Sequence, residues 1–152
     1  MNSRIWVISA LVLGTGSAAQ AATASLSGIV VNSCILAVPT PGLLVADASG
    51  TTLRSDSGVG ARAATLTVIA VGTSPTLTFA APQFSGPVGV SADSVQFAYA
   101  GAGSGASRGF AATSAIATAN LIDTFTVNGK ISRSAGFSTG TYAMTVDVTC
   151  GQ

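Results

Sequence analysis

Five aspartates, one lysine, two cysteines, and neither histidine nor glutamate set the chemical resources of this 152-residue chain. A nucleophile relayed through imidazole is therefore outside its reach. A serine–lysine pair would rest on Lys130, which the local pattern places at the tip of a hairpin. Paired carboxylates would have to come from Asp47, Asp56, Asp93, Asp123 and Asp147, which are scattered, with Asp147 on the polar face of a strand. Gly101-Ala102-Gly103-Ser104-Gly105 has the composition of a phosphate-cradling loop, but it opens no convincing helix and no Gly-Lys-Ser/Thr follows. It reads as a surface loop. The cysteines lie too far apart for a zinc set, and no carboxylates have the spacing of a calcium loop. No catalytic, cofactor-binding or metal-binding residue is nominated, and the chain is not read as an enzyme.

Cys34 and Cys150 are the remaining chemistry, and what they do depends on the compartment. Arg4 precedes an apolar run from Ile5 to Leu13, and small residues follow from Gly14 to Ala19-Gln20-Ala21. This order of charge, apolar core and A-x-A site is that of a signal peptide over residues 1–21, cleaved before Ala22, with the site after Ala19 as the neighbouring choice. A permanent membrane anchor would need about 20 apolar residues, roughly twice this run. Export makes a Cys34–Cys150 disulfide the default expectation; intermolecular pairing and free thiols are the alternatives.

Loss of the leader removes Trp6 and Arg4 and leaves Arg54, Arg62, Arg108, Lys130 and Arg133 against the five aspartates. The balance is neutral, which argues against nucleic acid and anionic membranes as partners. Charged residues are 7% of the chain, far below the quarter to a third typical of designed soluble surfaces. The surface is therefore clad in Ser, Thr, Gly and Ala, or is covered in an assembly.

The elements that would position these groups are strands. Leu66, Val68 and Ala70 alternate with threonines, as do Leu77, Phe79 and Ala81; Val95, Phe97 and Tyr99 follow the same period. Phe79, Phe97, Phe125 and Tyr142 on such faces are read as core. Asn128-Gly129, between Phe125-Thr126-Val127 and Lys130-Ile131, predicts a two-residue hairpin. Residues 111–120 read as strand or irregular structure, while 46–60 and 101–109 read as polar loops. Residues 22–152 form one all-β domain, an antiparallel sandwich or barrel.

The two ends of the mature chain stand out. Ala24, Leu26, Gly28 and Val30 share one face just ahead of Cys34; Tyr142, Met144, Val146, Val148 and Cys150 share one face of the final strand. An unpaired edge with such a pattern can accept an extended segment from elsewhere. The first strand could equally pair within its own domain. At these ends, residues 22–33, Cys34 and Gly140-Thr141-Tyr142-Ala143-Met144-Thr145-Val146-Asp147-Val148-Thr149, the chain resembles bacterial chaperone–usher pilins, especially the archaic, spore-coat-protein-U-like branch. The resemblance implies an exported immunoglobulin-like (pilin-like) β-sandwich lacking one strand, found in the periplasm, on the cell surface or secreted. It implies a structural subunit of a pilus- or coat-like assembly, whose residues 22–33 complete the next subunit. Ala24, Leu26 and Val30 would then be donor side chains, and Tyr142, Met144, Val146 and Val148 the receiving strand. Identical or related subunits, a periplasmic chaperone and an outer-membrane usher are the implied partners. A Cys34–Cys150 bond would tie the first strand to the last and could lock such a domain closed. The second reading is a self-complete secreted or periplasmic sandwich that binds carbohydrate or protein through its loops.

Overall fold

Alternation of apolar and hydroxylated side chains is converted into sheets throughout the computed structural model, which describes residue 29 and residues 32–152. The signal sequence and the donor positions Ala24, Leu26 and Val30 lie outside the described residues. Twelve strands follow in chain order: β1 (Ser33–Thr40), β2 (Val45–Ala46), β3 (Thr52–Arg54), β4 (Ala64–Val71), β5 (Thr76–Phe79), β6 (Gln83–Ser85), β7 (Ser94–Gly101), β8 (Ser107–Ala111), β9 (Ala115–Thr118), β10 (Ile122–Ser132), β11 (Ala143–Thr145) and β12 (Val148–Gly151). No helix occurs among the described residues. The class is all-β, with antiparallel sheets curled into a sandwich-like arrangement.

One layer is a sheet in which β10 has β7 along one edge, while its other edge is shared by β4 and then β3. β1 lies outside β4, and β8 outside β7. The facing layer is β9–β5–β12, continued by β6–β11. The chain breaks pairing together at residues 80–82 and 146–147, where the Ala80 N–H donates to the Asp147 carbonyl at 2.8 Å and holds the two ladders in line.

Between the layers sit Leu66, Val68, Leu77, Phe79, Phe97, Tyr99 and Phe125. Phe79 stacks on Tyr99 with ring centroids 4.6 Å apart, and Phe125 meets Tyr99 edge-on at 6.0 Å. The Tyr99 hydroxyl, carried into this apolar layer, donates to the Ile116 carbonyl at 3.3 Å, as a buried phenol requires.

One expectation is overturned. Asn128-Gly129 does not turn; β10 runs straight through it, with Asn128 opposite Ala98 and Gly129 opposite Phe97. The reason is tertiary. At this point β10 exchanges β4 for β3, and Ser55 fills the junction: its N–H donates to the Gly129 carbonyl at 3.1 Å, and its Oγ accepts from the Gly129 N–H at 2.8 Å. The Ser55 hydroxyl in turn donates to Asn128 Oδ1 at 3.1 Å. Three bonds to the extended conformation outweigh a local turn preference that costs only tenths of a kilocalorie to about 1 kcal/mol to override. Lys130 accordingly lies within a strand, opposite Arg54 and Gln96, and not at a hairpin tip. The segment 111–120 contains β9, and the supposed loop 46–60 contains β3.

Candidate functional site

A seam between the two layers is the most distinctive place in the molecule. β1 pairs only with β4, β12 only with β5, and β11 only with β6, so among the described residues the free edge of β1 has no strand partner, and neither do those of β11 and β12. Cys34 near the start of β1 is disulfide-bonded to Cys150 near the end of β12, with Cα atoms 6.3 Å apart. The two edge strands are therefore antiparallel and tied at one end. Beyond the tie they diverge around a cavity of about 160 Å³ lined by Val38, Leu66, Val127, Met144, Val146 and Val148. A second cavity of about 240 Å³ continues it toward Leu43, Leu44, Ser55, Gly129 and Tyr142, sharing Ala64, Val127 and Met144.

The bond thus closes one end of the seam and leaves the rest open. Strand period puts every second residue of the last segment on its wall. Tyr142, Met144, Val146, Val148 and Cys150 are each half-buried while Thr141, Ala143, Thr145, Asp147 and Thr149 are exposed. The opposite wall comes from β1, β4 and β10. Gly129 matters to the floor, because a Cβ at that position would run into the Met144 methyl. The missing side chain at Gly129 leaves room for the end of Met144 to lie across the sheet in this position. Tyr142 is held at the rim, its hydroxyl donating to the Ser138 carbonyl at 2.9 Å and its ring 5.0 Å from that of Phe137, edge to face.

Sequence alternation pointed to Met144, Val146 and Val148, and the structure places all three on the cavity. Val38 and Val127 were not anticipated. Val127 continues the inward phase of Asp123 and Phe125 along β10, a signal hidden by reading a hairpin at Asn128.

The aspartates are dispersed, and the side chains of four of them, Asp47, Asp56, Asp93 and Asp123, are engaged within the fold. Asp47 accepts from the Thr51 and Thr52 N–H groups and the Ser49 hydroxyl at 2.8–3.2 Å. Asp56 pairs with Arg54 at 2.6 Å, and Asp93 accepts from the Ser134 N–H at 2.6 Å. Asp123 is buried and gathers the Gly103, Thr124, Ser104 and Asn120 N–H groups at 2.7, 2.7, 3.0 and 3.3 Å. Burial pushes the Asp123 carboxyl up, but hydrogen bonds from Ser104, Gly103, Thr124 and Asn120 outweigh it and hold it below the usual range. The Gly101–Gly105 segment is thus folded around a carboxylate of its own chain, with its amides at 103 and 104 already occupied. Among the described residues, no group of three or more His, Cys, Asp or Glu could hold a metal ion, and no helix is long and apolar enough to cross a membrane.

No family model, curated protein or solved structure matches the chain.

Proposed function

We propose that the protein is an exported structural subunit that assembles by donor-strand complementation, its residues 22–33 filling the β1–β12 seam of another copy. The carrying observation is the strand order. In this reading the order β1-β4-β10-β7 is taken as the A-B-E-D sheet of an immunoglobulin-like sandwich, and β5/β6 with β11/β12 as strands C and F of the other. Among the described residues no strand pairs with the free edge of β11 or β12, where a strand G would run in this reading, and the open cavity lies beside that edge. Open edges of this kind are ordinarily covered or charged; here the edges flank an apolar trough of Val38, Leu66, Val127, Met144, Val146 and Val148.

Because β1 and β12 are antiparallel to each other, an inserted strand is antiparallel to one and parallel to the other. Its inward side chains would be Ala24, Leu26 and Val30, spaced by two or four residues to match Met144, Val146 and Val148 on the acceptor. Each large side chain buried there contributes about 1.5–3 kcal/mol. A subunit with its trough empty would need a chaperone in the periplasm and an usher for ordered addition; both enter this reading from the resemblance.

Deletion of Ala22–Val31, arranged so that export is retained, tests the reading. The truncated protein should stay monomeric, and a synthetic peptide of residues 22–31 should bind it. Assembly by the truncated protein as efficient as that of the full one would show that the segment is not a donor.

A further inference from the structure

We infer that the outer face of β1, β4 and β10 at the Cys34 end of the sandwich is a second contact between copies of this chain, made against the body of the subunit that receives the N-terminal segment. The inference rests on the donor-strand reading for its partner, but on different residues. Ile35, Ile69 and Ile122 stand directly opposite one another on three neighbouring strands. They point away from the core and are 62%, 47% and 74% exposed. Val71, 56% exposed and opposite Ser33, extends the row, and Leu121 borders it. The same face changes character farther along: on β4 it carries Thr65 and Thr67, and on β10 Thr124 and Thr126. Threonine is what an exposed strand face ordinarily uses, so isoleucines in cross-strand register at one end mark a surface that is meant to be covered.

The position of the patch favours one occupant. Chain enters β1 at Ser33, beside Val71 and two residues before Ile35. The alternating donor set ends at Val30, so no more than three residues, spanning about 10 Å when extended, separate the inserted segment from this end of the sandwich. A linker that short holds the acceptor's body against the end from which the segment leaves. This holds whichever direction the segment takes in the trough. The patch of Ile35, Ile69, Val71 and Ile122 lies at that end, on the strand the segment leaves from and the two beside it, so the partner we assign to it is the acceptor's body, a second copy. Such a contact is heterologous, patch against a different surface, and repeats from copy to copy, as a ring where the rotation closes and as an open fibre where it does not.

The test compares the full chain with Ile69→Lys/Ile122→Lys and with Ile69→Thr/Ile122→Thr, the latter keeping the β-branched residues that strands favour. Multimer size is read by sedimentation, and trough occupancy by affinity for the peptide of residues 22–31 in chains deleted of Ala22–Val31. Both substituted chains should bind the peptide within about twofold of the unsubstituted one, while multimers become shorter and dissociate about tenfold faster. Multimers of unchanged size and lifetime in both variants would overturn the inference while leaving the donor reading intact. Peptide binding that fails in every chain, with no multimers from the unsubstituted protein, would overturn both. Loss in the variants of an affinity for phosphatidylcholine vesicles, with assembly unaltered, would assign the face to lipid and overturn the inference.

Discussion

Replacing Asp123 by asparagine removes the charge from the most heavily hydrogen-bonded side chain of the sandwich while preserving its shape. The carboxylate accepts four backbone N–H groups, two on each oxygen: Gly103 and Thr124 on Oδ1, Ser104 and Asn120 on Oδ2. Asparagine retains one acceptor oxygen and turns an NH₂ group toward the other two donors, so two charge-assisted bonds are lost and a donor faces donors. Each such bond contributes about 1.5–3 kcal/mol. Gly103, Asn120 and Thr124 are solvent-exposed residues, so water can satisfy part of what is left. A loss of about 2–4 kcal/mol follows, read as a lower urea midpoint at neutral pH. The acid limb supplies a second readout. The folded carboxyl lies below its unfolded value, so the unfolded chain binds more protons in the window beneath about pH 4. The stabilisation is complete above that window and disappears as pH falls through the folded pKa. Asp47, Asp56 and Asp93 are also lowered and act with the same sign. The difference between parent and D123N therefore isolates Asp123, and it should shrink as the pH drops below 4. A variant within about 0.5 kcal/mol of the parent at pH 7, or a gap that does not narrow in acid, would refute the reasoning.

Two further outcomes concern the frame and the trough. Cys34→Ser/Cys150→Ser should lower stability in urea by up to about 4.7 kcal/mol, the chain-entropy figure for a loop near 100 residues, since the bond spans 116 positions. Peptide 22–31 should also bind more weakly to that variant, because the trough walls lose their tie. Gly101→Ala should cost about 1–3 kcal/mol by overpacking, because a Cβ there would stand 2.9 Å from two ring carbons of the buried Phe125. Thermal unfolding with peptide binding measured in parallel checks both, and G101A should leave affinity unchanged.

The strands were legible where a single rule governed them. β4, β5 and β7 each carry period-two patterns over a core filled from both layers, and burial alternates with that pattern from Thr65 in β4, throughout β5 and from Gln96 in β7. Reading failed where partners far apart in sequence decide the outcome. Asn128-Gly129 is a hairpin signal in isolation, and only Ser55, 73 positions away from Asn128, shows why it stays extended. Asp123 was visible only as one carboxylate among five, because its role depends on loop amides 103 and 104 reached through the fold. The cysteines could be paired from composition and compartment, but not the consequence of their pairing. Whether the bond closes the domain or only one end of it depends on how far β1 and β12 diverge beyond the tie.

That divergence also explains a mismatch between pattern and burial in the final segment. Its alternation from Tyr142 to Cys150 is the most regular in the chain, yet none of those side chains is fully buried, whereas Leu77 and Phe79 on neighbouring β5 are wholly so. A strand that simply closed its own sandwich would convert the same pattern into full burial. On the donor-strand reading, half-burial on one face, with that face turned into an apolar trough, is the mark expected of a core short of one strand's side chains. An unfilled gap of this kind weakens both walls, because each edge strand holds only one neighbour. The Cys34–Cys150 bond offsets this where the walls meet, and the Asp147 carbonyl accepting from Ala80 keeps β11 and β12 collinear where their ladder breaks. These two ties fix the walls at the Cys34–Cys150 end and at the break between the ladders, and leave the stretch lined by Val38, Met144 and Val146 without one.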